Sequence, residues 1–281
     1  MAQEGLSFRQ QLAGVRETVQ QMEKRREVER RLEQERNEQA LGKKLKEDTA
    51  EALAQRYTDI HKRFDRDARK FYPLPLLEAV STEIQDFTDR LKFYADCMTS
   101  FPKVFTPNHK SGIPVILADL DGLRKGLDRQ LGQWREIQVA LDKVQFRPQQ
   151  PQDGPALVAA AKSFSDRAHK VPLSIPNDYF SREAKNFWVV EAEGKVLGYI
   201  KFLPDEKTVA FALAPAETVN FAKFARGVLY KFFTAGPLPE KLANVRVNIA
   251  FVREVKFFTD LGFVRAETKG PTEWIYQREL A

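Results

Sequence analysis

The sequence predicts an α+β chain: an all-α coiled coil or helical bundle, then an α/β domain built on a mostly antiparallel sheet. Three observations predict it. Residues 6–70 hold no proline and are rich in Glu, Arg, Lys, Gln, Ala and Leu, the straight-chain helix formers. Two apolar seams of helical spacing follow. At residue 146 the texture changes, and short apolar runs with tight turns replace the heptads, as strands do.

A chain of 281 residues with 43% hydrophobic content is long enough for two cores. The assigned boundaries are 1–142 for the helical module and 143–281 for the α/β domain. Within the first, the spacing predicts one long charged helix over 1–70 and antiparallel helices over 76–101 and 115–145. The long helix carries Leu12, Val15, Val19 and Met22 on one stripe, thins to Val28, Leu32, Leu41 and Leu45, and recovers at Leu53, Tyr57, Ile60 and Phe64. A helix polar all round in its middle either projects into solvent or takes a partner. The short stripe near its start therefore predicts self-association or docking of a partner helix.

"FYPLPLL" at 71–77 interrupts that helix, because its two prolines cannot donate to a helical ladder. Leu77, Val80, Ile84, Phe87, Leu91, Tyr94, Met98 and Phe101 then step by three and four without a miss. The stretch "FPKVFTPNHKSGIP" reads as a loop. Leu117, Leu120, Leu123, Leu127, Leu131, Trp134, Ile137, Leu141 and Val144 form a second seam. Two matched seams joined by a short connection pair antiparallel, with Leu53 to Phe64 as a third member of the bundle.

Beyond "QFRPQQPQDGP", the stretch 187–213 reads as a meander: Phe187 to Ala192, a Glu193–Gly194 turn, Val196 to Phe202, a turn at 204–206, and Thr208 to Leu213. A helix from Asn220 to Phe233, the strand "NVRVNIAFV", the helix "VREVKFFTD" and a closing strand pair complete an α/β order around one sheet.

Composition narrows the function classes. No apolar run reaches the ~20 residues of a membrane span, and "MAQEGLSFRQ" lacks the form of a signal peptide. The lone Cys97 has no intrachain disulfide partner, and a cytoplasmic protein is expected. The net charge of +6 invites a nucleic-acid reading. Residues 1–70 argue against it, since their 17 Lys and Arg are interleaved with 14 Asp and Glu, in pairs such as Glu27 and Arg31 at i,i+4. His61, His109 and His169 lie far apart in no metal-ligand spacing, and no metal is expected. Neither a Gly-x-Ser-x-Gly turn nor a Gly-x-x-x-x-Gly-Lys loop occurs.

The order of four segments carries a resemblance. "VQFRPQQPQDGPALVAAAKSF", "KVLGYIKF", "AFALAP" and "VREVKFFTDLGFVR" are similar, in that order, to the first strand and helix, third strand, fourth strand and last helix of the GNAT superfamily of acyltransferases. The resemblance covers about residues 143–281. It implies that acyl-CoA phosphates would be cradled by a glycine-rich loop after the fourth strand, and that a tyrosine in the last helix would protonate the leaving thiolate.

This sequence departs at both places. "APAETVNFAKFARGV" has no glycine between Pro215 and Gly227, although backbone approach to phosphate favours glycine. Aligning on "DLGF" puts Phe258 at the acid position, and phenylalanine has no proton to give. Phe251 and Glu254 stand where the family often has an asparagine and a small residue. No catalytic residue is therefore assigned. Were acyl-CoA to bind, Leu213, Ala214, Lys223 and Arg226 would line its site, with Glu217 or Glu191 as substitute bases. The expected function is a non-catalytic scaffold that assembles through its N-terminal helices onto itself or a protein partner, and needs no cofactor. The alternative is an atypical N-acyltransferase that uses acetyl-CoA or another acyl-CoA on a protein or small-molecule amine.

Overall fold

The computed structural model describes residues 8–168, 175, 179–182, 184–203, 208–214, 220–238, 244–249, 252–268 and 274–279. Its contacts divide the chain into two compact units: Met1–His61 with Glu83–Leu123, and Lys62–Thr82 with Arg124–Ala281. Residues 124–142, read from sequence as part of the helical module, thus group with the sheet.

The expected single N-terminal helix is two helices, α1 (Phe8–Glu47) and α2 (Ala50–Ala68). The break at Asp48–Thr49 has a local cause. The Thr49 hydroxyl accepts the backbone N–H of Ala52 at 3.1 Å and caps α2. The chain is also held there from outside: the Asp48 carboxylate takes the Tyr94 hydroxyl and Arg90, the latter at 3.2 Å. The Asp48 carbonyl accepts His109 Nε2–H at 3.0 Å. From residue 19 to 40 α1 is exposed on nearly every side, with Val19, Met22, Val28 and Leu32 each about half accessible. Among its described side chains, Leu41 and Leu45 are the first to be buried.

Helix α3 (Leu74–Ser100) starts directly after Pro73, and α4 (Pro107–Asp142) starts ahead of the position the spacing indicated. A capping box explains the early start of α4. The Thr106 hydroxyl accepts His109 N–H at 3.3 Å while His109 Nδ1 accepts Thr106 N–H at 3.4 Å. Pro107 fills the first helical position, where no donor is needed. Pro114 lies on the exposed face, so only one ladder bond is lost. The early start brings Ile113 and Ile116 into the seam, ahead of the residues that sequence reading had placed there. Leu53 and Ile60 of α2, Ile84 to Tyr94 of α3 and Leu120 to Leu141 of α4 are buried at their seam positions. Glu78 of α3 meets Arg135 of α4 at 3.2 Å, as antiparallel neighbours do.

In the second unit, strand β1 (Val144–Pro148), a 3-10 turn at Pro151–Asp153, α5 (Gly154–Ala168) and the short α6 (Tyr179–Arg182) precede the meander. The meander is β2 (Phe187–Ala192), β3 (Lys195–Leu203) and β4 (Thr208–Leu213). Helix α7 (Phe221–Ala235), β5 (Asn244–Ile249), α8 (Val252–Asp260), β6 (Val264–Thr268) and β7 (Trp274–Glu279) complete it. These form one seven-stranded sheet in the order β1-β2-β3-β4-β5-β7-β6. Every neighbour is antiparallel except β4 and β5. The element order is the one the GNAT resemblance implies.

Helix α7 docks on the end of α4 through a glycine. A Cβ added at Gly227 would stand 2.4 Å from Leu141 Cδ1, so only glycine permits this approach. One turn on, Lys231 donates to the carbonyls of Leu141 at 2.7 Å and Val144 at 2.8 Å, capping the α4 C-terminus.

Candidate functional site

The resemblance directs attention to the carboxyl ends of β4 and β5. The two strands are parallel and register at a single pair, Val209 with Val247, whereas β3–β4 and β5–β7 register along six pairs each. No further pair is registered between the described residues of the two strands. In open α/β sheets, ligands enter where parallel strands diverge at their carboxyl ends.

Phenylalanine occupies this region. Phe211 of β4 meets Phe164 of α5 at 5.5 Å, Phe257 of α8 at 6.4 Å and Phe258 at 6.0 Å between ring centroids. Phe221, the first residue of α7, meets Phe164 at 5.6 Å and Phe257 at 5.7 Å. Phe258 continues to Phe263 at 5.6 Å. Most pairs are edge to face, the favoured geometry, each contributing roughly 0.5–1.5 kcal/mol beyond burial. Phe164, Phe211, Phe257, Phe258 and Phe263 are all buried. Phe258, at the position expected for the acid, is therefore a packing residue here, with ring faces and edges for neighbours.

The residues proposed to line an acyl-CoA site lie at and just after the end of β4 and in the first turns of α7. Leu213 is fully buried at the end of β4, and Ala214 donates its N–H to the Leu197 carbonyl at 2.7 Å. The loop between them and α7, with Glu217, lies outside the described residues, as do Phe251 and His169. The N-terminus of α7 is capped from within the chain, by the Asn220 side chain accepting Lys223 N–H at 3.1 Å.

Lys223 and Arg226 point toward the helical segments of the same unit. Lys223 Nζ bonds Gln133 and lies 5.5 Å from the Trp134 ring centre. Burial, and then Arg226, hold its ammonium below the usual lysine range. Arg226 donates through Nε to the Phe71 carbonyl at 2.9 Å and through Nη2 to the Lys70 carbonyl. Its guanidinium lies against Trp134 at 5.2 Å and Phe71 at 5.7 Å, cation–π contacts that offset part of its desolvation. Burial, with Arg278 as the second cause, brings its pKa down to about 10. Tyr72 closes the same seam: it bonds Gln138, stacks on Tyr230 at 4.7 Å and meets Trp134 at 5.4 Å. Burial pushes its hydroxyl up to about 12.

Glu191, the other candidate base, is engaged. It accepts Arg147 Nε at 2.8 Å, and the two remaining Arg147 nitrogens grip Asp153 at 2.7 and 2.8 Å. The Arg147 fork holds the Asp153 carboxyl below the usual carboxylate range. Asp153 also accepts Gln150 N–H at 2.7 Å, so this network locks β1 and β2 to the entry of α5. His109 is a buried cap, and His61 sits edge-on to Tyr57 at 6.2 Å. Among the described residues no cluster of His, Cys, Asp and Glu could hold a metal ion, and no helix is long and apolar enough to cross a membrane.

Sequence reading missed the phenylalanine cluster and the carbonyl partners of Arg226. "NFAKF" and "VKFFTD" show the aromatic residues, but nothing local reveals that they meet.

No protein-family model matches the chain, and no curated protein matches it. Solved structures similar to its C-terminal half include an acetyltransferase from Thermus thermophilus, at 17% identity. That match covers 49% of this chain and 97% of that one, with a TM-score of 0.37. An N-acetylglutamate synthase from Neisseria gonorrhoeae, complexed with coenzyme A and N-acetyl-glutamate, is 15% identical. It covers 49% of this chain and 35% of that one, with a TM-score of 0.35. A spermidine N-acetyltransferase from Vibrio cholerae, in complex with CoA and spermine, is 13% identical over 48% of this chain and 94% of that one, with a TM-score of 0.33.

Proposed function

We propose that this chain is a non-catalytic protein-interaction scaffold, in which the GNAT-like domain is a binding module and α1 is an assembly arm that pairs as a coiled coil with a second copy or a partner helix. The observation that carries this reading is the phenylalanine cluster packed on Phe211 of β4. A slot for an acyl-CoA arm would have to be opened by moving buried rings, and each displaced ring forfeits roughly 1.5–3 kcal/mol of burial. Phe258 supplies no proton. Lys223 and Arg226 would have to leave backbone carbonyls and aromatic faces to meet a phosphate. The lone Cys97, half-buried on α3, supports a cytoplasmic location.

The second reading, an acyl-CoA-dependent N-acyltransferase, is favoured by the parallel pairing of β4 and β5 within an otherwise antiparallel sheet, since ligands of open α/β sheets bind beyond the carboxyl ends of such strands. Titration of acetyl-CoA into the full chain by calorimetry separates the two. The scaffold reading expects no saturable heat. A micromolar dissociation constant that Arg69→Gln leaves unchanged would overturn it and put the enzyme first.

A further inference from the structure

Near the amino end of β5 lies a cavity of about 320 Å³. Its polar lining comes from Arg69, Lys70, Asn244, Gln277 and Arg278, with Gly262 in its wall. Three of these are cations and two are amides. Among the described residues that line it, none is acidic.

Arg278 is the inner cation. Its Nη2 donates to the Arg69 carbonyl, and its guanidinium lies 5.5 Å from the centre of the Phe71 ring. Gly262, at φ +82°, leaves the space the group needs: a Cβ there would fall 1.3 Å from Arg278 Nη1. Arg226 stands behind Phe71 and feels Arg278 as a like charge. Burial lowers the pKa of both guanidiniums. Among the described residues neither has a carboxylate partner; their acceptors are backbone carbonyls. Half-buried cations are normally paired, because desolvation without a counter-charge is costly. Of the two, Arg278 faces the cavity.

We propose that this cavity binds a small phosphorylated ligand. The donor set matches a phosphoryl group: guanidinium forks present paired N–H donors to its oxygens, and a lining with two guanidiniums and no acidic residue among those described favours a polyvalent anion over a monocarboxylate. The side-chain amides of Asn244 and Gln277 offer both donors and acceptors to the rest of the molecule. The volume, at the small end for ligand sites, suits a small phosphorylated compound rather than a nucleic-acid strand. Phe71 in the cavity wall packs on Phe263 at the edge of the phenylalanine cluster, 6.0 Å between ring centroids, but the cations Arg69, Lys70 and Arg278 are not among the residues assigned to acyl-CoA.

The test is calorimetric titration of pyrophosphate into the full chain at constant ionic strength. Saturable binding is expected. Arg69→Gln and Lys70→Gln, at the mouth of the cavity, should each weaken it about tenfold, the effect of losing one charged donor. Arg129→Gln, on the exposed face of α4, removes the same charge elsewhere and should change binding less than about twofold, since a distant exposed charge is largely screened. Arg278→Lys keeps the charge but loses the fork, and should weaken pyrophosphate more than it lowers the melting temperature of the unliganded protein. Absence of heat would overturn the proposal. Equal weakening by Arg129→Gln, or binding of heparin without pyrophosphate, would also do so and would reveal a diffuse cationic surface.

Discussion

Replacing Gly227 by alanine tests the docking of α7 on α4. In an ordinary helix interior this change stabilises by about 1 kcal/mol, because alanine restricts the unfolded chain. Here the new Cβ meets Leu141 at 2.4 Å to Cδ1, 3.1 Å to Cδ2 and 3.2 Å to Cγ. Leu141 is itself buried, at 2% exposure, so it has no solvent to turn into. Overpacking of this kind costs roughly 1–3 kcal/mol. The net expectation is a loss of about 1 kcal/mol, opposite in sign to the helix-propensity effect. Leu141→Ala alone should cost about 2–5 kcal/mol through lost burial and the cavity left behind. In that background the clash is gone, and Gly227→Ala should stabilise by about 1 kcal/mol. The two changes are thus coupled by about 2 kcal/mol, well above the few tenths expected of independent sites. Urea denaturation of the four proteins, followed by tryptophan fluorescence, measures the cycle, since Trp134 is buried on the same helix as Leu141. If Gly227→Ala stabilises equally in both backgrounds, α7 and α4 do not approach as described, and the grouping of 124–142 with the sheet loses its main packing argument.

Gly262→Ala should destabilise by about 2–3 kcal/mol: a left-handed alanine costs roughly 1–2 kcal/mol, and the Arg278 guanidinium must also move; Arg278→Ala in the same chain should recover part of the loss in the denaturation midpoint. Asp153 gives a pH signature. Its folded pKa lies below the unfolded value of about 3.9, so its contribution is present above that value and lost as pH falls through the folded pKa. Asp153→Asn should therefore cost about 1.5–3 kcal/mol at neutral pH and flatten the stability profile below about pH 4; an unchanged acid limb would show that the Arg147 fork is not tighter than water. Removing α1 up to residue 40 spares the buried Leu41 and Leu45, so the shortened chain should fold but lose self-association in light scattering. If the full chain and the shortened one are both monomers at micromolar concentration and neither captures a partner helix, the arm does not assemble. A fragment starting at residue 143 lacks Trp134 and Leu141, and should melt at a lower temperature than one that keeps the segments 62–82 and 124–142.

Elements whose signals repeat locally are legible in the sequence. The seams of α3 and α4, the meander of β2 to β4 and the order of strands and helices after residue 144 all follow from periods of 3.6 and 2 and from short turns. Side chains a few residues apart meet wherever the chain folds into those elements. The break at Asp48–Thr49 and the early start of α4 were less visible. Thr49 and Thr106 are weak caps in sequence, and His109 completes the second only because its far nitrogen finds the Asp48 carbonyl. The remaining contacts exist only in the folded chain. Lys223 and Arg226 read as surface or phosphate-facing cations until the fold brings Gln133, Trp134 and the carbonyls of Lys70 and Phe71 against them. Phe164, Phe211, Phe221 and Phe257 form one cluster although they belong to four different elements. Gly227, which looks like a misplaced loop glycine, is explained only by Leu141. Such contacts join residues from tens to more than a hundred positions apart, and burial is non-directional. A hydrophobic or cationic residue carries no local mark of which distant surface will cover it.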